Sequence, residues 1–317
     1  MGKTLVIHLI VVAASVACSR VPQANPPTQP VSSAAPANSS PAEPIEAKEV
    51  DWWLTKTPCP EGAVLKGSPP PDGKSVACEM DGVANGPKME FHPNGKHARS
   101  DFYIRGKLQG RHIQWYATGK IEEESFYRDG LLDGKFVRYF PNGSKRTEGD
   151  YHKGKERGFF TTYTETGERT EVIEYVEGKK HGKTRTYYET GKVRDETEYA
   201  SDLKHGIVRT FYPSGAKHEE GMYANEQQVG TWRTYREDSM LTEEVQYVAG
   251  KKDGSATTWQ DSGAKAVEGA YKGNLKNDTF NYYDDEGEIE KTEEYSAGRL
   301  VSSKRLKAKK PPGAVKK

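Results

Sequence analysis

A period of 24 residues governs this chain from Gly86 to about Val301, and no other property restricts its fold as much. Stepping by 24 from Gly86 meets Gly110, Gly134, Gly158, Gly182, Gly206, Gly230 and Gly254, and then Asp278. Seventeen residues into every unit stands a tyrosine: Tyr103, Tyr127, Tyr151, Tyr175, Tyr199, Tyr223, Tyr247, Tyr271 and Tyr295. Five residues in, the side chain is always aromatic, from Phe91 and Trp115 to Trp259 and Tyr283. A fixed period of this length means a stacked array, in which one small unit cannot bury its own apolar face and its neighbours complete it. The low apolar content, 34% against 29% charged, fits such an array and does not imply disorder.

One unit, Gly134 to Arg157, reads as two β-prone runs, Lys135–Phe140 and Lys145–His152, around Pro141-Asn142-Gly143, with a second turn at Lys153-Gly154. The turn glycine recurs in eight units and is Ser239 in the seventh. Asn-Gly, Thr-Gly and Ser-Gly supply the positive φ of a tight hairpin. The expected fold is all-β, an elongated single-layer array of about nine 24-residue β-hairpins, eighteen strands in all. It is flanked by a disordered N-terminal tether and a basic C-terminal tail.

Side chains alternate faces along a strand. A small residue often precedes the tyrosine by two (Ser125, Gly149, Thr197, Gly221, Gly269), which leaves room for a ring arriving from the next unit. Immediately before that position Glu recurs, at 124, 148, 196, 220, 244 and 268. The sheet is therefore expected to carry one aromatic face and one acidic face, with the nine tyrosines as its core. Where units five and six carry Asp202 and Glu226 in place of a turn glycine, looser turns are expected.

With these residues in view, the pattern Gly-x-x-x-x-Tyr/Phe-x-x-x-Gly, followed by Glu-Gly-x-Tyr, resembles the bacterial variant of the MORN repeat. Glu148-Gly149-Asp150-Tyr151 and Glu268-Gly269-Ala270-Tyr271 carry the resemblance best. It implies an elongated β-array and no single activity; such repeats occur in scaffolds, in membrane-proximal modules and in proteins labelled antitoxins.

The flanks add a destination. Lys3 and the apolar run Thr4–Val12, far too short to span a bilayer, read as a secretory signal over residues 1–17. Ser15-Val16-Ala17-Cys18 resembles a lipobox, which implies acylation of Cys18; Ser15 and Ala17 also suit ordinary signal cleavage, which would leave Cys18 unmodified. Residues 18–50 hold seven prolines among Ala, Ser, Asn and Gln and read as a solvated linker. In such a compartment Cys59 and Cys78 are expected to form a disulfide closing an N-terminal cap over residues 51–85. The tail, 302–317, carries seven cations from Lys304 onward and no acid, leaving the rest of the chain net negative.

No catalytic signature emerges. Gly178-Lys179-Lys180-His181-Gly182-Lys183-Thr184 is one residue short of a phosphate loop and precedes a strand. His181 and His205 lack a third ligand, and the remaining histidines are scattered, with no triad. The glutamates recur with the repeat, as structural residues do. The expectation is a non-enzymatic, exported outer-membrane lipoprotein facing the periplasm or the cell surface, with no cofactor, metal, nucleic acid or small-molecule substrate. It would act as a protein-interaction scaffold for an envelope protein or an anionic polymer, and reach the membrane through its lipid anchor. The alternatives are an antitoxin-like inhibitor and a lipid- or glycan-binding surface.

Overall fold

The structure, a computed structural model, describes residues 51–306. The expected signal segment, Cys18, the expected linker and the tail beyond residue 306 lie outside the described residues. The described part forms one antiparallel sheet of 23 strands, with a single 3-10 turn at Trp52–Leu54 and no α-helix among these residues.

Each repeat is built on one register. In the unit of Gly134, strand Leu131–Tyr139 pairs with Lys145–His152, placing Gly134 opposite Tyr151, Phe136 opposite Gly149 and Arg138 opposite Thr147. A slip between Arg138 and Tyr139 leads into the hairpin. The pairing with the next unit slips again: Asp150 faces Arg157, but Glu148 faces Thr161, so the later strand bulges around Gly158. The frame glycine thus lies within a strand. Its φ is positive in all eight units that have it, from +67° at Gly230 to +128° at Gly134, and Asp278 takes +66° in the ninth. A bulge in this backbone region selects glycine, which fixes the period.

Units are joined by two-residue turns in which both residues have positive φ, as at Asp129-Gly130 (52° and 84°), the mirror-image turn favoured between twisted antiparallel strands. Asp202 and Glu226 do not loosen it. They hold the same conformation (73° and 67°), and their carboxylates accept hydrogen bonds from the N–H groups of Lys180 (2.8 Å) and Lys204 (2.5 Å). The side chain offsets the cost of placing a non-glycine residue there. Ser239 likewise keeps the hairpin tip at φ 71°.

The hairpin tips are stapled from unit to unit. Tyr116, Tyr188 and Tyr212 donate to the carbonyls of Tyr139, Phe211 and Tyr235 (2.6–2.9 Å), and His92 occupies the same place against Trp115 O at 2.7 Å. Lys96, Lys120 and Lys192 cap carbonyls of the following tip.

The sheet extends past the repeats at both ends. Strands Val64–Ser68 and Ser75–Met80 precede Val83–Phe91 in the same antiparallel order, and Cys59 is bonded to Cys78, which is buried. Trp53 stands edge-on to Phe91 at 5.6 Å. At the far end strand Arg299–Arg305 runs across position 302, so Ser302–Arg305 belong to the sheet and not to a tail.

Candidate functional site

Residues two positions after the frame residue, fifteen after it and seventeen after it share one face, because those at two pair with those at fifteen, and the frame residue pairs with the tyrosine. This is the ring face. Phe136, Tyr151, Phe160 and Tyr175 form a continuous edge-to-face series with centroids 5.4, 5.3 and 5.3 Å apart. Tyr223, Trp232 and Tyr247 form a second series, and Tyr271, Phe280 and Tyr295 a third. Such pairs contribute about 0.5–1.5 kcal/mol each beyond simple burial.

The space left by the small residue is filled as expected. A Cβ added at Gly149 would lie 2.6 Å from the Phe160 ring, and one at Gly221 or Gly269 would strike Trp232 or Phe280. The rings that enter come from a position the sequence pattern did not mark. It holds Lys88, His112, Phe136, Phe160, Thr184, Val208, Trp232, Ala256 and Phe280 in turn, so no column of like residues betrays it. The pairing of a gap with a ring eleven residues later was the available signal.

The division into one aromatic and one acidic face is corrected by the structure. The aromatic residues five into each unit lie with the glutamates: Tyr163 donates to Glu148 at 2.5 Å and Tyr235 to Glu220 at 2.9 Å. Five is an odd number of steps from the frame residue, which itself faces the tyrosine at seventeen. Burial followed by the Glu148 bond pushes Tyr163 up to about 12. Burial opposes ionisation of Glu148, but Lys145 and Tyr163 outweigh it and hold the carboxyl below its usual range.

In the middle of the array this second face carries a ladder of charge. Glu196 receives Arg185 at 2.8 Å and Arg209 at 3.3 Å; Arg209 also reaches Glu220 at 3.7 Å, which binds Lys217 at 2.8 Å; Arg233 meets Glu244 at 2.7 Å. Burial acts to raise Glu196, yet the Arg185 bond and the charges of Arg185, Lys183 and Arg209 leave it lowered.

Over residues 123–175 the ring face forms an open groove of about 350 Å³, floored by Tyr127, Phe136, Tyr151, Phe160 and Tyr175. Glu123 at its rim is paired with Arg138 at 2.9 Å, and the Arg138 guanidinium lies 5.3 Å over the Phe136 ring. Burial, then the Glu156 charge, pushes the Tyr151 phenol up to about 12. Not every repeat tyrosine joins a ring series. Tyr103 donates to Asp101 at 3.1 Å, and Tyr199 lies beneath the ammonium of Lys180 at 5.5 Å.

At the head of the ring face the histidines are not all scattered. His112 is 5% exposed and bonds through Nδ1 to Asp101 (4% exposed) at 2.6 Å, while Arg99 meets the other carboxylate oxygen at 2.6 Å. Burial opposes the Asp101 charge, but the His112 bond and Arg99 outweigh it and its acidity increases. Ser125 stands opposite His112 across the strands, fully buried, with its hydroxyl donating to Glu123 at 3.2 Å. The trio therefore fills the core where the first and second units meet. His181 and His205 are both exposed, and His205 contacts Asn225 at 3.3 Å. Among the described residues no group of three His, Cys, Asp or Glu side chains is arranged to hold a metal.

Comparison with known proteins agrees with the register. The family model described as a MORN repeat variant matches residues 108–129, 132–153, 180–200 and 204–225. The strand pattern continues unchanged through 154–179 and beyond 225. No curated protein matches the chain. Among solved structures, the glycosylation-associated Gap123 complex of Streptococcus agalactiae is 15% identical over 36% of this chain and 20% of that one, with a TM-score of 0.23. The TcdB2-TccC3-TEV crystal structure is 12% identical over 74% of this chain and 17% of its own, with a TM-score of 0.19. The chain spans about a fifth or less of the length of these structures.

Proposed function

The chain carries repeats of the MORN-variant family in a repeat-based binding module, and from that premise we propose that it is a non-catalytic scaffold that docks another protein of the cell envelope. The groove over Tyr127–Tyr175 carries this reading. Among the described residues no second layer covers the sheet, so Tyr127, Tyr151 and Tyr175 stay half-exposed beside the buried Phe136 and Phe160. Half-buried aromatic rings with a few charges at the rim are what an interface anchor requires. Buried Asp101, His112 and Ser125, the nearest approach to catalytic chemistry, are consumed by packing and hydrogen bonds.

Lys3, the apolar run Thr4–Val12 and Ser15–Cys18 support export, with Cys18 as the acylated residue and the proline-rich segment holding the array off an outer membrane. An antitoxin-like inhibitor would use the same groove with an enzyme as its occupant, and the identity of the occupant separates the two.

The test places a photo-crosslinking phenylalanine analogue at Tyr151 in one strain and at exposed Arg299 in another. A discrete adduct in intact cells from position 151 and none from 299 is expected. Equal adducts from both sites would defeat the groove as the docking surface. A fatty-acid alkyne should label the wild type and not Cys18→Ala; label retained in that variant would remove the anchor.

A further inference from the structure

The array contains its own picture of a ligand. In four units a lysine two residues before the frame residue lays its ammonium over the unit's tyrosine. Lys180 lies 5.5 Å from Tyr199, Lys204 5.2 Å from Tyr223, Lys252 5.5 Å from Tyr271 and Lys276 4.8 Å from Tyr295. These separations lie within the reach of cation–π attraction. Along the groove the same position is Leu108 before Tyr127, Leu132 before Tyr151 and Glu156 before Tyr175. At Tyr175 the repeat's cation is thus replaced by a carboxylate.

A second carboxylate stands on the same face and adds its charge at the ring. Glu171 lies four residues before Tyr175 on the same strand and therefore on the same face. Among the described residues neither Glu156 nor Glu171 has a cation within ion-pair distance; Glu156 only accepts from the Tyr151 hydroxyl at 3.4 Å. The neighbouring cations are engaged elsewhere. Arg138 serves Glu123, and Lys180, the strand partner of Tyr175, extends to Tyr199. Burial, then Glu156, Glu171 and Asp202, raise the Tyr175 phenol, as a surplus of negative charge around the ring should.

We propose that the Tyr175 end of the groove, between Glu156 and Glu171, is a subsite for a lysine or arginine side chain of a partner polypeptide. The incoming cation takes the place that Lys204 takes over Tyr223, and its alkyl stem lies along Phe160 and Tyr151. Charge complementarity selects this occupant: the ring face supplies aromatic surface and the two acids supply the counter-charge. The inference rests on the groove being a docking surface and adds what that surface recognises.

The probe is a fluorescein-labelled peptide of alternating glycine and lysine, measured by anisotropy against the full chain, with norleucine in place of each lysine as its uncharged counterpart. The lysine peptide should bind at least ten-fold more tightly than the norleucine peptide. Glu156→Lys restores the residue used in four other units, so it should lower affinity ten-fold or more while leaving the thermal midpoint unchanged or raised. Glu171→Gln should lower it about three-fold. Glu189→Lys makes the same charge change at an exposed hairpin tip and should have little effect. Equal binding of the norleucine peptide, an unchanged Glu156→Lys, or an equal loss in Glu189→Lys would overturn the subsite, the last reducing it to net charge. If these fail while the adduct from position 151 persists in cells, the docking scaffold stands without its cation site; if the adduct is absent, the scaffold itself falls.

Discussion

Residues 134–175 and residues 182–223 share one backbone and are held by different forces. In both, a positive-φ glycine bulge faces a tyrosine, and a positive-φ pair turns the chain into the next unit. In the first region Phe136 and Phe160 fill the ring face and link Tyr151 to Tyr175. In the second the equivalent residues are Thr184 and Val208, and the prominent contacts move to the opposite face, where Arg185, Glu196, Arg209 and Glu220 interlock. The period is thus a property of the backbone, while the side chains between its fixed points supply the stability in separable ways. A repeat array in which each unit touches only its neighbours permits this.

The comparison breaks most forcefully at Phe160. Phe160→Ala removes the ring that joins two tyrosines and should destabilise its region by about 3–5 kcal/mol. Thr184→Ala, at the same place in the other region, should cost under about 1 kcal/mol. Hydrogen exchange resolves the two regions separately, and comparable losses of protection in both variants would show that the ring series is not what holds 134–175.

Next in size is the space those rings occupy. Gly149→Ala places a Cβ 2.6 Å from the Phe160 ring, so strand or ring must shift. The expected cost is about 1–3 kcal/mol, the range for overpacking a filled site. At the matching position in the other region Thr197→Ala should be nearly neutral. Urea unfolding of the two variants gives the comparison, and a neutral Gly149→Ala would mean the ring face is looser than its geometry.

Much of this was legible before any coordinates. Glycine and tyrosine recur because the bulge and its partner admit few alternatives, and Cys59 and Cys78, nineteen residues apart ahead of the first repeat, are bonded as expected. What the sequence concealed was relational. The ring-bearing position reads Lys, His, Phe, Thr, Val, Trp or Ala from unit to unit, so no column of like residues marks it. The two sets of aromatics fall on opposite faces because of a register that becomes visible only when Gly134 is set against Tyr151. Asp101 and His112, eleven residues apart on adjacent strands, carry no mark of their pairing. Asp202 and Glu226 looked like broken turns because their compensation is a bond to a backbone one unit away.

The ladder should respond to salt and acid more than to any single truncation. Glu196→Gln should cost about 1 kcal/mol or less at low ionic strength, since its partners are solvent-accessible, and the difference should shrink in 1 M NaCl. The acid response has a definite sign. The folded-state pKa of Glu196 is lowered, so its contribution is present above the unfolded value of about 4.3 and is lost as pH falls through the lower folded value. Hydrogen exchange across that window should open 182–223 earlier than 134–175; the reverse order would break the assignment of forces.

The smallest effect is the alkaline counterpart. Tyr151 is raised to about 12, first by burial and then by Glu156, so its neutral form is favoured in the folded protein. A raised phenol stabilises the fold below the unfolded value of about 10, and that contribution disappears as pH rises through about 12. Between those values a phenolate would have to form in the ring series beside a carboxylate. Absorbance at the phenolate band should therefore show a late-titrating fraction, which Tyr151→Phe diminishes. Glu156→Gln should bring that fraction to lower pH without abolishing it, because burial remains when the charge is gone. Were Glu156→Gln to leave the late fraction unmoved, the acid would not be acting on the ring series, and the electrostatic contrast between the two regions would rest on the ladder alone.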